Sequence, residues 1–180
     1  MKKSTNIKQM RILAIETSCD ETAIAVIETS SAKRSFRVLS NIVLSQIKLH
    51  AKWGGVVPNL AKREHQKNLP IILLKAFQEA DFLISNSPNY LISNKIPNSD
   101  LLNPKRSTLI AILEREPELL EQFIKQIMPL KKPPIDLIAV TKGPGLEPAL
   151  WVGVNFARAL SALWNIPLVG MNHMEGHVFS

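Results

Sequence analysis

Residues 11–27, RILAIETSCDETAIAVI, set two short apolar runs on either side of the polar stretch ETSCDET (16–22): residues 11–15 read as a buried strand, 16–22 as a polar turn, and 23–27 as a second strand with small residues interleaved.

 The two runs are close enough to pair as an antiparallel hairpin. Residues 37–45, with Val38, Leu39, Ile42, Val43 and Leu44, read as a third strand. Further along, residues 135–140 read as a strand, 141–146 as a tight glycine turn and 147–164 as a helix. The small face of that helix (Ala149, Gly153, Ala157, Ala159) permits close packing on a sheet. Residues 166–169 read as a short strand, and Asn172 opens another helix. A hairpin followed by strand–helix–strand crossovers predicts an α/β fold with a mixed sheet.

Between these halves the texture changes. Residues 48–57 read as a long loop with Gly54-Gly55 as its pivot. Pro58 suits the first turn of a helix whose apolar face includes Leu60, Leu69, Ile71, Leu73, Leu74 and Phe77, and Pro70 should kink or split that helix. Residues 86–104 are rich in Asn, Ser and Pro and read as loop. Residues 107–128 have helical spacing, with Ser107 as a cap and Pro117 as a break, and residues 131–134 form a stiff linker. The segment 81–134 thus reads as an insertion packed on the domain's periphery. Residues 1–10 read as a flexible terminus, leaving 11–180 as one lobe. The stop at Ser180, just inside a helix, reads as the end of a fragment.

The 180 residues are 46% hydrophobic and 21% charged, which excludes collagen-like and wholly disordered classes. No apolar run is long enough for a membrane span or a signal peptide, so the expected compartment is the cytoplasm and no membrane partner is expected. One cysteine, Cys19, excludes an internal disulfide and a Cys-only zinc site. The net charge of +7 is concentrated. Between Lys33 and Lys67 stand Lys33, Arg34, Arg37, Lys48, Lys52, Lys62, Arg63 and Lys67, opposed by Glu64 alone. Such a stretch suits a polyanion, RNA above all, although a solvated basic face has the same composition.

Four motifs carry chemistry. His173-Met-Glu-Gly-His177 puts two imidazoles one helical turn apart on one face, where both can reach a single metal ion, or where they stand as an ordinary surface or core pair. The Glu lies at the third place, so the zinc-protease pattern, in which Glu directly follows the first His, is absent. Residues 16–22 offer hydroxyls, backbone N–H groups and the carboxylates Asp20 and Glu21, suited to phosphate and to magnesium through water; a self-capped polar turn is the plainer reading. Gly143-Pro144-Gly145 stands between strand and helix, where an anion meets backbone donors, or where strand and helix pack closely. Residues 48–65 interleave Lys48, His50, Lys52, Arg63 and His65 with Trp53, which stacks on a base or anchors the loop in the core.

Together these pieces resemble the TsaD family, the bacterial catalytic subunit of tRNA threonylcarbamoyladenosine synthesis. The matching stretches are ILAIETSCDETAIAV (12–26), LSQIKLHAKWGGVVPNLAKREH (44–65), IAVTKGPGL (138–146), VGVNFARALSALWNIPLVG (152–170) and NHMEGH (172–177). The resemblance covers residues 11–80 and 134–180. It implies an actin-like, ribonuclease H-like ATPase lobe with a mixed five-stranded sheet, the second lobe being absent from this chain. It implies transfer of a threonylcarbamoyl group from threonylcarbamoyl-AMP to N6 of adenosine 37 in tRNAs that read codons beginning with A.

The resemblance also assigns roles. His173 and His177 would hold one divalent metal ion, iron ahead of zinc. Asp20 and Glu21 would lie at the reacting centre. Thr17, Ser18, Gly143 and Gly145 would face nucleotide or phosphate, with Mg2+ accompanying the nucleotide. Lys48, His50, Lys52, Arg63 and His65 would face the cleft or tRNA. Partners would be tRNA, a paralogous actin-like subunit and a small P-loop ATPase. The chain departs from the family in Asn59, Glu147-Pro148, Trp151 and the length of 81–134. Two competing classes are a non-catalytic paralogue acting as scaffold, which the histidine pair argues against, and a metallopeptidase, for which the motif lacks the base.

Overall fold

The structure is a computed structural model and describes residues 9–30, 35–83 and 104–179. Strands β1 (Gln9–Glu16), β2 (Glu21–Ser30) and β3 (Ser35–Ser45) form an antiparallel meander. Strands β4 (Leu137–Gly143) and β5 (Leu168–Asn172) extend it in parallel beside β1, giving the order β3-β2-β1-β4-β5. The mixed five-stranded sheet is therefore the one expected. β1 starts at Gln9, so Gln9 and Met10, expected in the terminus 1–10, belong to a strand; residues 1–8 lie outside the described residues, as do Lys33, Arg34, residues 86–103 of the loop expected over 86–104, and Ser180.

Alternation decides which face is covered. Leu13 and Ile15 of β1, Ile24 and Val26 of β2, Ile42 of β3, and Ile138 and Val140 of β4 are all buried. The register aligns Ile42, Ile24, Ile15 and Val140 across four strands, one apolar row on one face. The opposite face carries small residues, with Ala14 paired to Ala25 and to Ala139.

Helix α2 (Pro58–Glu79) packs on β2 and β3, and α5 (Glu147–Trp164) packs on β4 and on α2. Helix α2 runs as one helix through Pro70, so of the expected kink or split the split does not occur. Proline costs about 3 kcal/mol in a helix interior. Leu69, Ile72, Leu73, Ala76 and Phe77 are buried on the same helix, and each large side chain among them contributes roughly 1.5–3 kcal/mol, which outweighs that cost. Residues 48–57 are not a continuous loop. They fold as the short helix α1 (Ile47–His50) and a 3₁₀ turn (Ala51–Trp53), closed by Gly54 at φ 70°.

The segment after α2 also differs from expectation. Helix α3 (Pro104–Ile112) begins before Ser107, which lies inside the helix and does not cap it. Pro117 does break the pattern, as the first residue of α4 (Pro117–Gln122), which a π turn (Phe123–Ile127) continues. Leu109, Leu113, Leu119, Phe123 and Ile127 are at most 1% exposed and belong to the central core. Phe123 meets Phe156 of α5 edge to face, with ring centroids 5.9 Å apart. These residues are core and not periphery, because the apolar stripe that marked them as helical has α2 and α5 to pack against. Phe123→Ala should therefore lower unfolding free energy by about 3–5 kcal/mol in urea titration, whereas a peripheral segment would change it by about 0.5 kcal/mol or less.

Candidate functional site

Strands β1, β4 and β5 run parallel, so Glu16, Gly143 and Asn172 end on one rim. That is the side on which open α/β sheets hold ligands. Helix α6 (His173–Phe179) starts there, and Asn172 caps it: its Oδ1 accepts the N–H of Met174 at 2.8 Å and of Glu175 at 3.3 Å.

Glu16 organises the rim. Its carboxylate accepts the Ser18 N–H and the Thr141 hydroxyl, and its Oε2 lies 3.4 Å from Nδ1 of His173. Burial alone would raise the Glu16 pKa, but the hydrogen bonds from Ser18 and Thr141 and the nearby His173 outweigh it and hold the carboxyl below its ordinary range. The Ser18 hydroxyl is 3.2 Å from the same Nδ1. A carboxylate only accepts, so the proton of His173 belongs on Nδ1 and Nε2 keeps its lone pair. His177 then donates its Nε2 proton to that atom at 3.0 Å, with the two rings perpendicular.

The two imidazoles therefore converge at the start of α6. Two nitrogens bound to one zinc-sized ion stand about 3 Å apart, and a ligating histidine commonly donates its other N–H to a carboxylate. Both conditions fit His173. Among the described residues no group of three or more His, Cys, Asp or Glu side chains gathers as a metal site.

The other expected residues divide. Thr17 is fully buried and its hydroxyl donates to the Ala149 carbonyl at 3.0 Å, so it braces α5 and is not open to phosphate. A Cβ on Gly153 would stand 2.3 Å from that hydroxyl. The Ser18 carbonyl accepts the Leu146 N–H at 2.7 Å, and a Cβ on Gly145 would stand 2.6 Å from it. Gly143, at φ 140°, precedes a cis peptide to Pro144. The corner thus serves close packing. With one donor taken by Ser18, Pro148 lacking an N–H and Glu147 in the first turn, the start of α5 is a poor anion site.

Asp20 and Glu21 lie on the β3 side of the turn. The Asp20 carbonyl accepts the Gln46 N–H at 2.9 Å, and the Glu21 carboxylate accepts the Ser45 hydroxyl at 3.4 Å. Burial, and then the Asp20 carboxylate, push the Cys19 thiol pKa up.

His50 and His65 are corrections. They are 3% and 0% exposed and do not face a cleft or RNA. His65 donates from Nε2 to the Cys19 carbonyl at 3.0 Å and accepts the Thr22 hydroxyl at Nδ1, 2.8 Å away. His50 accepts the Val57 N–H at 3.3 Å and donates to Gln46 at 3.1 Å, and Gln46 Nε2 lies 3.4 Å from His65. This relay ties α1 and α2 to the 17–20 turn. Lys48, Lys52 and Arg63 are exposed, and Trp53 is 63% exposed with Lys52 Nζ 5.6 Å from its ring, so it does not anchor the loop in the core. Glu16 and Thr141 were not singled out from sequence; the available signal was a carboxylate ending one strand beside a hydroxyl ending its parallel neighbour.

The family profile described as TsaD, tRNA N6-adenosine threonylcarbamoyltransferase, matches residues 37–86 and 113–180. A tRNA N6-adenosine threonylcarbamoyltransferase from Synechococcus is 38% identical over 173 residues, covering 95% of this chain and 34% of the relative. One from Bacillus subtilis is 35% identical over 173 residues, covering 96% of this chain and 35% of the relative. The chain spans about a third of the length of these relatives. YeaZ from Pseudomonas aeruginosa aligns in structure with a TM-score of 0.46 at 13% identity, over 91% of this chain and 44% of that one. No helix among the described residues is long and apolar enough to cross a membrane.

Burial lowers the His65 pKa below its ordinary value, and the Cys19 carbonyl only partly opposes this. The unfolded chain then binds a proton more readily than the folded one just below about pH 6.5. Stability should be full above that pH and fall as pH drops through the window beneath it. Urea midpoints measured between pH 7.5 and about pH 5 should show this decline, and His65→Gln should flatten it.

Proposed function

The chain belongs to the TsaD family of tRNA N6-adenosine threonylcarbamoyltransferases, and we propose that it supplies the lobe of such an enzyme that carries the paired histidines. The reaction would move a threonylcarbamoyl group from threonylcarbamoyl-AMP to N6 of adenosine 37 in tRNAs that read codons beginning with A. A bond forms between N6 and the carbamoyl carbon, the bond from that carbon to the AMP phosphate oxygen breaks, and the amine proton leaves to a base. Asp20 and Glu21, on the turn beside the rim, are the candidates for that proton.

The observation that carries this reading is the convergence of His173 and His177 with Glu16 behind the first of them. A divalent ion, iron ahead of zinc, would be held by the two Nε2 atoms with further donors from outside the described residues. Such an ion supplies Lewis-acid polarisation of a carbonyl and stabilises developing negative charge. Glu16 orients His173 and keeps its Nε2 unprotonated. Magnesium would accompany a bound nucleotide.

The exposed face formed by Lys48, Lys52, Trp53 and Arg63 would meet tRNA, the cations on phosphates and the indole on a base. A paralogous actin-like subunit and a small P-loop ATPase would be the protein partners, in the cytoplasm.

In the complete-length protein, His173→Ala and His177→Ala should abolish bound metal, measured by elemental analysis, together with transfer. Glu16→Gln should weaken metal affinity by about 10–100-fold. Full transfer by metal-free protein would sink the assigned role. For RNA, Trp53→Ala should weaken tRNA binding by about 1–3 kcal/mol in filter binding, and Lys52→Ala should reduce the slope of log affinity against log salt by about 1.

A further inference from the structure

A cleft of about 310 Å³ opens on the helical side of the domain, outside the strand-end rim. Lys62 of α2, Arg115 and Glu116 at the corner between α3 and α4, and Trp151, Asn155 and Arg158 of α5 form its working walls. Trp151, Asn155 and Arg158 recur at i, i+4 and i+7, so α5 presents them as one stripe. The wall that ends at Ile112 lies in the stretch the family profile leaves unmatched.

The chemistry of these walls is specific. Glu116 is 1% exposed, and a buried carboxylate is costly unless its oxygens are satisfied. One oxygen accepts the Asn155 Nδ2–H at 3.2 Å; the other has Lys62 Nζ at 4.0 Å, beyond hydrogen-bond reach. The Asn155 amide oxygen accepts Arg158 Nη1–H at 3.3 Å, which fixes the amide so that its N–H points to Glu116. Trp151 is 50% exposed, a flat aromatic surface at the wall, and Arg115 and Arg158 are exposed cations. The volume admits one small ligand and no duplex.

We propose that this cleft binds a nucleotide with an amino-bearing base: the ring against Trp151, the amino group donating to Glu116, and the phosphate on Arg115 and Arg158. Stacking on an exposed indole is open to any base, and the guanidinium pair recognises phosphate through bidentate donors. Glu116 adds the preference for a donor on the base edge. Glu114 and Glu147 at the mouth of this cleft offset part of the positive charge, which favours one phosphate over three. This site stands apart from the rim and does not depend on the chemistry proposed there. A free mononucleotide and a single nucleotide of an RNA strand share the recognised groups.

Calorimetric titration of the 180-residue chain tests the assignment. AMP should bind, IMP, which lacks the amino group, should bind at least 10-fold more weakly, and ribose 5-phosphate more weakly still. Trp151→Ala and Arg158→Ala should each weaken AMP at least 10-fold. Glu116→Gln should shrink the preference for AMP over IMP, a ratio that a merely structural role would leave unchanged. His173→Ala should bind AMP as the parent does. A CCA trinucleotide binding 10-fold tighter than AMP assigns the cleft to RNA; equal or weaker binding assigns it to a free nucleotide. Absence of AMP binding, or AMP affinity unchanged in Trp151→Ala with its circular dichroism intact, overturns the proposal.

Discussion

One carboxylate, Glu16 at the end of the central strand, holds the rim together. It accepts from Ser18 in its own turn and from Thr141 on the neighbouring strand, and it stands behind His173 at the start of α6. A half-buried charge is tolerated there because donors from different elements converge on it. The same bonds set the direction of the His173 ring. Asn172 fixes where α6 begins, and Glu16 fixes where its first side chain points.

The four histidines show how environment divides one residue type. His50 and His65 are enclosed and linked through Gln46, and their work is to fasten helices to a turn. His173 and His177 stand at the rim with their Nε2 atoms turned toward each other. Spacing in sequence separates the two pairs: an i, i+4 pair on a short helix shares a face, whereas His50 and His65 sit on different helices.

Much of the fold was legible because its signals are local. Alternation in β1 and β2, Pro58 as a helix start, Pro117 as a break, and the glycine turn before α5 each act within a few residues. The histidine pair was legible for the same reason. What sequence did not disclose depends on distant partners. The burial of His65 depends on Cys19 and Thr22, forty residues and more away in the chain, and the continuity of α2 past Pro70 depends on the core it covers. The role of Glu16 needed the parallel register that brings Thr141 beside it. Residues 104–127 seemed separable only because nothing local says that Phe123 meets Phe156.

Gly145 and Gly153 let the backbone of the 17–20 turn lie directly on the corner and on α5, with no side chain as cushion. Compliance in this domain is consequently uneven. The floor beneath the rim is a stiff footing, since moving the turn would drag a helix and a sheet with it. Open space lies instead around Gly54 and Gly55, where an added Cβ would meet nothing within 4 Å.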